Sequence, residues 1–424
     1  MITKDYPLFI IPQSMLPSLR MEKRIDFGSH VHDQHQSKYT GVVCSPNFVK
    51  SCLIDLNKHL GELLPTITEE MRYALNRELP SSKDWHPIPS FETSLRIIGL
   101  VSGRVNVGLP LSRRDEWLDQ YLQYPIHFFS SVAALSKWPH FLRPIAQYWM
   151  PQLREIHEIE GKVQELLAPQ FAERRNGLKE KPNTLVQWVW DNSEEEMKTD
   201  DYQSKLQILA TVPTIYTVAF GVAQCIFDLA TRPEYLPMLR EEYQSVLQAA
   251  NGNLTKDSFS KMVKLDSFMK ESQRLNPLTM VSFERKVLEP LTLPDGTRLP
   301  AGAHLAAPSF HIARDPEYFE DPNEFDGLRF LKLHRDQISS GSLKDQSKHQ
   351  YVSVDETSLH FGYGRQACPG RWYAAVEIKL LLGSLIMDYD LRLEDAKGGR
   401  PTSKVDNMFI YPDPTKMVAL RKRV

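Results

Sequence analysis

One cysteine near the C-terminal end of the chain stands between a glycine-punctuated loop and a long amphipathic helix pattern. Residues 361–388 read FGYGRQACPGRWYAAVEIKLLLGSLIMD. Apolar residues recur with helical spacing from Ala374 to Leu385, which places Cys368 where the loop becomes a helix. Unpaired N–H groups and partial positive charge at a helix N-terminus both stabilise a thiolate. The chemistry that suits this arrangement is ligation of iron by the Cys368 sulfur.

The neighbours of Cys368 favour the same chemistry. Gly364 permits a sharp turn of the loop, and Gly370 allows the helix to pass close to a flat ligand. Phe361 is expected to shield the sulfur from water. A lone cysteine after a turn is more often a buried free thiol, and for Cys368 alone this alternative stays open. The joint pattern F-x-x-G-x-x-x-C-x-G is specific enough to favour the ligand.

This stretch resembles the haem-binding loop of the cytochrome P450 family. The resemblance extends from about residue 40 onward and is strongest over residues 204–385. It implies a mainly α fold with a smaller β-rich portion, and a single haem-thiolate domain over residues 1–424. It also implies that haem b, iron protoporphyrin IX, is held by the Cys368 thiolate as axial ligand.

Composition and charge exclude several other classes. The chain has 424 residues and a formal net charge of -2, which gives no basis for a nucleic-acid partner. Its four cysteines are scattered without a CxxC pair, which indicates a reducing compartment. No apolar run of about 18 residues and no signal peptide is present, so the chain itself is expected to be soluble. The resemblance implies that the full-length protein lies at the endoplasmic reticulum membrane, on the cytosolic face, through an N-terminal anchor absent from this chain.

Two residues on a predicted helix, Glu271 and Arg274, have the spacing of an ion pair. An exposed pair of this kind is common and contributes little. The pair is similar to the E-x-x-R element of the family, and the later loop EFDGLRF supplies Arg329 in the matching slot. The resemblance implies that the three side chains form a buried structural lock behind the cysteine loop, without a catalytic role.

The resemblance also assigns residues to haem binding. Arg285 occupies a position where the family contacts a haem propionate, and arginine suits this because its fork matches a carboxylate. The alternative is an ordinary arginine at the end of a strand. The slot two residues before the cysteine, usually Arg or His in the family, is Gln366 here. Propionate anchoring is therefore expected to be weaker, or shared with Arg365 and Lys50.

The segment 204–229 is long and mostly apolar, and it predicts a buried helix distorted at Pro213. In this helix the family carries A-G-x-(D/E)-T, where the alcohol holds a water near bound oxygen and the acid relays protons. This chain reads PTIYT over residues 213–217, so the alcohol is Thr217 and the acid slot holds Tyr216. A tyrosine is a poor proton source at neutral pH.

Several explanations of the altered slot stay open. The relay runs through Thr214, Thr217 and water, or a polar group of the substrate completes it. Alternatively, the reaction ends in desaturation, ring closure or coupling rather than hydroxylation. A purely structural explanation is that Thr217 only hydrogen-bonds to a carbonyl of its own helix.

Substrate contacts are assigned by their position in the resembled family. Taken singly, each of these residues is more often part of a protein core, but together they indicate an apolar, bulky ligand. They are Phe128, Phe129, Met280, Val281 and Phe409.

The residues and the resemblance together predict a haem-thiolate monooxygenase similar to the filamentous-fungal branch that acts on terpenoid and indole-derived natural products. It would use O2 and electrons from NADPH-cytochrome P450 reductase, and no nucleotide-binding glycine fingerprint is visible in the chain itself. One alternative is a haem-thiolate enzyme that couples, desaturates or rearranges its substrate without inserting oxygen. Another is a non-catalytic haem or ligand-binding protein.

The patterns of three further segments carry expectations about secondary structure. Residues 46–77 show a leucine stripe with helical spacing and predict a helix. Residues 320–357 are rich in Asp, Pro, Ser and Lys and predict irregular structure. Residues 407–420 predict a pair of strands around the sequence Pro-Asp-Pro.

Overall fold

A computed structural model describes residues 5–41, 46–339 and 348–423, and within them helix outweighs strand. The helices are α1 Leu16–Leu19, α2 Phe27–Gln34, α3 Ser37–Thr40, α4 Pro46–Lys50, α5 Asn57–Glu78, α6 Ser90–Val107, α7 Asp115–Leu135, α8 Arg143–Ala146, α9 Pro151–Arg175, α10 Leu185–Asn192, α11 Asp200–Leu209, α12 Thr211–Thr231, α13 Leu236–Ala249, α14 Lys256–Lys261, α15 Val263–Leu275, α16 Ser309–Ile312, α17 Arg329–Ser339 and α18 Arg371–Asp388. One stretch of π-helix, Ser51–Leu56, joins α4 to α5. The expectation of a mainly α protein is confirmed.

The strands form small sheets. They are β1 Leu8–Ile10, β2 Ile25–Asp26, β3 His86–Pro89, β4 Ser282–Val287, β5 Leu291–Thr292, β6 Arg298–Leu299, β7 His304–Ala307, β8 Tyr389–Leu393, β9 Lys404–Asp406, β10 Phe409–Tyr411 and β11 Met417–Lys422. Four of them lie in the order β1-β7-β4-β2 and three in the order β3-β11-β8. The remaining described strands pair as β5 with β6 and β9 with β10.

Two sequence expectations about local structure hold only in part. The strands β10 and β11 exist, but they do not pair with each other, because β11 lies between β3 and β8. The apolar run Val418–Leu420 is fully buried, and a central position in a sheet covers it. Within 320–357, residues 329–339 form α17 rather than irregular chain, since Phe330 and Leu331 bury one face of it.

The long apolar segment is broken where its proline predicts a distortion. Helix α11 ends at Leu209 and α12 begins at Thr211. Pro213 has no N–H to donate to the carbonyl four residues earlier, that of Leu209, so the regular hydrogen bonding of the helix is interrupted next to Ala210. Within the described residues one helical stretch, 200–231, has the length and mean hydropathy of a membrane span, but 61% of that apolar window is buried inside the protein. It is a core helix of this fold.

The core is built around α12 and α18. α12 packs against α6, α7, α15 and α18. α18 is buried along most of its length, and an added Cβ at Gly383 would lie 1.9 Å from a ring carbon of Tyr243 on α13. Only glycine permits this close approach of two helices. The cysteine loop therefore leads into a helix that is held firmly on several sides.

A carboxylic acid is buried inside this core. Glu377 on α18 is fully buried, and its Oε1 accepts hydrogen bonds from Ser102 Oγ on α6 and Tyr373 Oη, each at 2.8 Å. Its Oε2 has no hydrogen-bond partner among the described residues. Burial raises the pKa of Glu377 to about 8, and the two hydroxyl donors oppose that rise.

Candidate active site at the Cys368 loop

The loop before α18 is held in a tight conformation that depends on one glycine. Gly364 has φ +73°, and an added Cβ would lie 2.2 Å from the Arg20 carbonyl oxygen. Both observations exclude a side chain at this position. The Cys368 N–H donates to the Phe361 carbonyl at 2.7 Å, which closes the loop before the helix starts.

The Cys368 sulfur lies at the N-terminal end of α18, beside backbone N–H groups of the first turn. The N–H groups of Gly370 and Arg371 hydrogen-bond to it. Burial raises the pKa of the Cys368 thiol, whereas these N–H groups and the Arg371 charge act in the opposite direction. An added Cβ at Gly370 would meet no described atom within 4 Å, so this side of the loop is open. A sulfur with these donors beside it, next to a glycine that leaves open space, fits a haem iron that binds it as the thiolate.

Phe361 lies behind the sulfur loop rather than in solvent. Its ring meets that of Tyr351 edge to face, with centroids 5.4 Å apart. Tyr351 is buried, and its hydroxyl accepts a hydrogen bond of 3.4 Å from Gln273 Nε2 on α15. The proposed shield of the sulfur is thus anchored to the helix that carries the ion-pair lock.

The Arg285 side chain lies beside the cysteine loop. It is buried and donates to the Tyr363 carbonyl at 3.3 Å, and its guanidinium stands over the Phe283 ring at 4.5 Å. Burial, followed by repulsion from Arg365, lowers the pKa of Arg285 to about 10. Within the described part of the chain no carboxylate hydrogen-bonds to this buried cation, which suits it to an anionic ligand group.

The other predicted haem contacts are engaged with the N-terminal segment. Arg365 donates to the Ile25 carbonyl at 2.8 Å, and Gln366 Nε2 donates to Asp26 Oδ1 at 2.7 Å. The Phe27 N–H donates back to Gln366 Oε1 at 3.0 Å. Residues 25–27 therefore lie against the cysteine loop.

Lys50 is the predicted haem contact that the structure does not bring to the loop. It ends α4 and is exposed to solvent. Among the described residues, no hydrogen bond or ion pair joins it to residues 361–370.

The three residues of the expected lock are brought together. Arg274 binds Glu271 with two hydrogen bonds of 2.8 Å, and Arg329 Nε donates to Glu271 Oε1 at 3.1 Å. All three side chains are buried. Arg274 and Arg329 both donate to the Glu324 carbonyl, at 3.3 and 3.0 Å, so the lock fixes the loop before α17.

The hydroxyls of the two threonines of the predicted relay hydrogen-bond to backbone carbonyls in or next to α12. Thr217 Oγ1 donates to the Pro213 carbonyl at 2.9 Å, and it lies 3.1 Å from the Thr214 carbonyl. Thr214 Oγ1 donates to the Ala210 carbonyl at 2.7 Å. These bonds satisfy carbonyls next to the break made by the proline. This is the arrangement described by the explanation in which Thr217 only hydrogen-bonds to a carbonyl of its own helix.

Tyr216 ties α12 to α7. Its hydroxyl donates to the Leu122 carbonyl at 3.1 Å, and its ring packs near those of Phe91 and Phe220, both at 6.1 Å. Burial raises the pKa of Tyr216 well above its usual value. A neutral phenol that already donates to a backbone carbonyl is a weak source of protons.

The expected substrate contacts divide into two groups. Phe128 is fully buried, and Val281 is buried against Leu8 and Ala306, so both are core residues in this structure. Phe129, Met280 and Phe409 are partly exposed and lie close together. The Phe129 and Phe409 rings meet edge to face at 6.2 Å, and the Met280 N–H donates to the Met408 carbonyl at 2.8 Å.

Sequence reasoning missed a buried polar cluster on α12. Asp228 accepts hydrogen bonds from Ser272 Oγ, at 2.6 Å, and from Arg232 and Arg400, at 2.8 and 2.5 Å. Gln224, one turn earlier, is also buried and accepts from Arg400 at 2.8 Å. The signal was present, because two polar residues four apart in an otherwise apolar helix are rarely buried without partners.

A cleft of about 690 Å³ lies beside the cysteine loop, and Gly364, Arg365 and Ala367 line part of it. None of the expected substrate contacts lines it. Its basic and aromatic lining residues include Lys256, Arg365, Arg371, Trp372 and Lys379.

Comparisons with known proteins agree with this geometry. The family model for Cytochrome P450 matches residues 56–419. Cytochrome P450 monooxygenase AN1598 of Emericella nidulans is 32% identical over 432 residues, which cover 99% of this chain and 79% of that protein. Cytochrome P450 monooxygenase ORF5 of Penicillium roqueforti is 38% identical over 383 residues, which cover 89% and 69%. The solved structure of retinoic acid bound cyanobacterial CYP120A1 has a TM-score of 0.71 at 16% identity, covering 98% of this chain and 89% of that chain.

The fold and these matches define a haem-dependent class of oxidoreductases. The chain belongs to the cytochrome P450 family, and it is a cytochrome P450 monooxygenase similar to fungal members. Enzymes of this family bind haem, and its monooxygenases use O2 with electrons from a redox partner.

Proposed function

We propose that this chain is a haem-thiolate monooxygenase that oxidises a bulky apolar natural product, of terpenoid or indole-alkaloid type, in secondary-metabolite biosynthesis. The observation that carries the proposal is the placement of Cys368 at the N-terminal end of α18, with two backbone N–H groups directed at its sulfur. Such donors stabilise a thiolate. The partly exposed aromatic pair Phe129 and Phe409 supports an apolar ligand.

Different residues of the chain have different roles around the cofactor. Haem ligated by the Cys368 sulfur supplies the activation of O2. The buried Arg285 guanidinium is placed to pair with a propionate, and Phe361 keeps water from the sulfur side. Gly370 leaves room for the macrocycle at the start of α18. The hydroxyls of Thr214 and Thr217 donate to the backbone carbonyls of Ala210 and Pro213, and each can rotate toward a bound water instead.

The experiment that tests the proposal is the carbon monoxide difference spectrum of the reduced protein. A thiolate-ligated haem absorbs at a distinctly longer wavelength than a nitrogen-ligated one. Cys368→Ala is expected to abolish this band. Cys225→Ala is the matched control, because it removes a buried thiol on α12 and is expected to leave the band intact. Persistence of the band in Cys368→Ala, or a wild-type protein that stays colourless after haem loading, would contradict the proposal.

One observation favours a second candidate function. The hydroxyls of Thr214, Tyr216 and Thr217 all donate to backbone carbonyls, and no carboxylic acid occupies the acid slot. An enzyme that couples, desaturates or rearranges its substrate retains no oxygen atom in the product. Turnover under labelled dioxygen separates the two candidates, since label in the product establishes insertion and its absence excludes it.

We propose NADPH-cytochrome P450 reductase as the electron donor, docking at the cleft beside the cysteine loop. Lys256 and Arg371 give this cleft positive charge, which attracts an acidic partner. Lys256→Glu is expected to slow reduction by the reductase and to weaken its salt dependence. Lys261→Glu, on the same helix but outside the cleft lining, is the control and should leave the rate unchanged. Equal effects of the two variants would contradict docking at this cleft.

We propose that the protein lies at the cytosolic face of the endoplasmic reticulum membrane. An aromatic patch between α7 and α9 supports this, because Phe141, Tyr148 and Trp149 are 76%, 81% and 78% exposed. Tryptophan and tyrosine favour the membrane–water interface. Trp149→Ser is expected to weaken binding to phospholipid vesicles. Trp372→Ser removes an exposed tryptophan from the cleft instead and is the control. A similar loss of vesicle binding in this variant would contradict the proposal that the aromatic patch binds the membrane.

A further inference from the structure

Arg400 fastens the C-terminal hairpin to α12. The hairpin consists of β9 and β10 and spans residues 404–411. Just before it, Arg400 Nε donates to Asp228 Oδ1 at 2.5 Å and Nη2 donates to Gln224 Oε1 at 2.8 Å. Gln224 in turn donates to Ser403 Oγ at 2.9 Å. The start of the hairpin is thus held by two buried side chains one turn apart on α12.

The far end of the hairpin carries the exposed aromatic surface. The Phe409 ring meets that of Phe129, and the Tyr411 ring stacks near that of Phe220 on α12 with centroids 6.3 Å apart. The Ile410 N–H donates to the Leu278 carbonyl at 2.8 Å. Phe409 is therefore positioned by these local contacts together with the contacts that fix the start of the hairpin.

Two arginines pair with Asp228, and their other contacts show that Arg400 and Arg232 have different structural roles. Asp228 is fully buried and pairs with both Arg232 and Arg400. Arg232 belongs to the end of α12 and stands over the Phe325 ring at 4.2 Å, so it has no part in the hairpin. Removal of either arginine leaves the carboxylate paired with the other. Of the two, only the removal of Arg400 also removes a contact that fixes the start of the hairpin.

We propose that Arg400 is a positioning residue, which with Asp228 and Gln224 fixes the hairpin against α12 and so determines how a bulky ligand is held beside Phe409. The inference rests on the proposed function, because it takes the hairpin as one wall of the substrate site. Losing a hydrogen bond to a charged group at this position is expected to weaken the binding of a bulky ligand by about tenfold or more.

The test compares two ligands of the haem iron in two variants of the holoenzyme. Imidazole is a single small ring, whereas clotrimazole adds a bulky aromatic group to it. Arg400→Met is expected to raise the Kd for clotrimazole about tenfold, measured by optical titration, and to leave the Kd for imidazole unchanged. Arg232→Met removes the same charge and is expected to change neither. Arg400→Lys, which keeps the charge but not the fork, serves if Arg400→Met fails to fold.

A second readout does not depend on the ligand. Hydrogen–deuterium exchange of residues 404–411 is expected to accelerate in Arg400→Met and to stay at the wild-type rate in Arg232→Met. Equal responses of the two variants, or an unchanged clotrimazole Kd and exchange rate in Arg400→Met, would overturn the inference. Failure of imidazole to bind the wild-type protein would instead count against the proposed function.

Discussion

The buried acid Glu377 is expected to make the stability of the protein depend on pH. Burial raises its pKa from 4.5 to about 8, so the carboxyl is protonated in the folded protein at neutral pH and ionised in the unfolded chain. Its favourable contribution is complete below about pH 4.5 and is lost as the pH rises toward 8. Between these limits the free energy of unfolding falls by about 1.4 kcal/mol per pH unit from this group alone.

Glu377→Gln removes the titrating group and retains the shape of the neutral acid. The amide oxygen still accepts from Ser102 and Tyr373, while the amide nitrogen occupies the buried place of Oε2, which has no described partner. That unpaired nitrogen costs about 1–3 kcal/mol at every pH. The stability of the variant relative to wild type is therefore expected to rise by roughly 4 kcal/mol from pH 5 to pH 8.

The assay is urea unfolding of both proteins at several pH values, with the difference plotted against pH. All other titrating groups cancel in this difference. Glu70→Gln is the control, because Glu70 is equally buried but pairs with Arg113 at 2.8 Å. It is expected to destabilise the protein throughout. A difference for Glu377→Gln that does not change with pH would refute the reasoning.

The remaining predictions concern the loop, the lock and the altered slot. Gly364→Ala is expected to cost at least about 2 kcal/mol by urea unfolding, because its Cβ would overlap the Arg20 carbonyl. Gly370→Ala has open space and is expected to change the haem-free stability by less than about 0.5 kcal/mol, while lowering the haem content; a normal haem content would place the macrocycle elsewhere. Glu271→Gln breaks the buried lock and is expected to cost about 3–5 kcal/mol, against about 0–1 kcal/mol for Asp201→Asn in the exposed pair with Lys205; similar costs would show that the lock is not special. Tyr216→Phe is expected to lose about 1 kcal/mol of stability with its bond to Leu122, but far less turnover than the ~10²-fold that removal of a positioned acid causes. Tyr216→Asp is likewise expected to do little to turnover, and a large rate gain would show that the native relay is impaired.

The sequence predicted the features that local spacing encodes. The turn at Gly364, the helix after Cys368 and the break near Pro213 each follow from residues within one or two turns of the chain. The contact of Glu271 with Arg329 spans 58 positions, and it was predicted because the resemblance supplied the matching loop. The mainly α fold followed from the same resemblance and from helical spacing.

The missed features are contacts between distant residues with no periodic signature. Arg400 lies 172 positions from Asp228, and Glu377 lies 275 positions from Ser102. Neither partner can be chosen from sequence, because many arginines and serines would serve equally well. The prediction of strand pairing failed for the same reason, because β11 pairs with β3 and β8, which are distant in sequence, and not with its neighbour β10.

The hydrogen bonds between residues 25–27 and the cysteine loop have a consequence for how the protein is made. They join parts of the chain about 340 positions apart, so the earlier segment leaves the ribosome long before its partner is made. Closing so long a connection is slow compared with local helix formation. Cofactor capture should therefore come late in biogenesis, after these two segments have met, and nascent chains arrested before residue 368 should remain without colour.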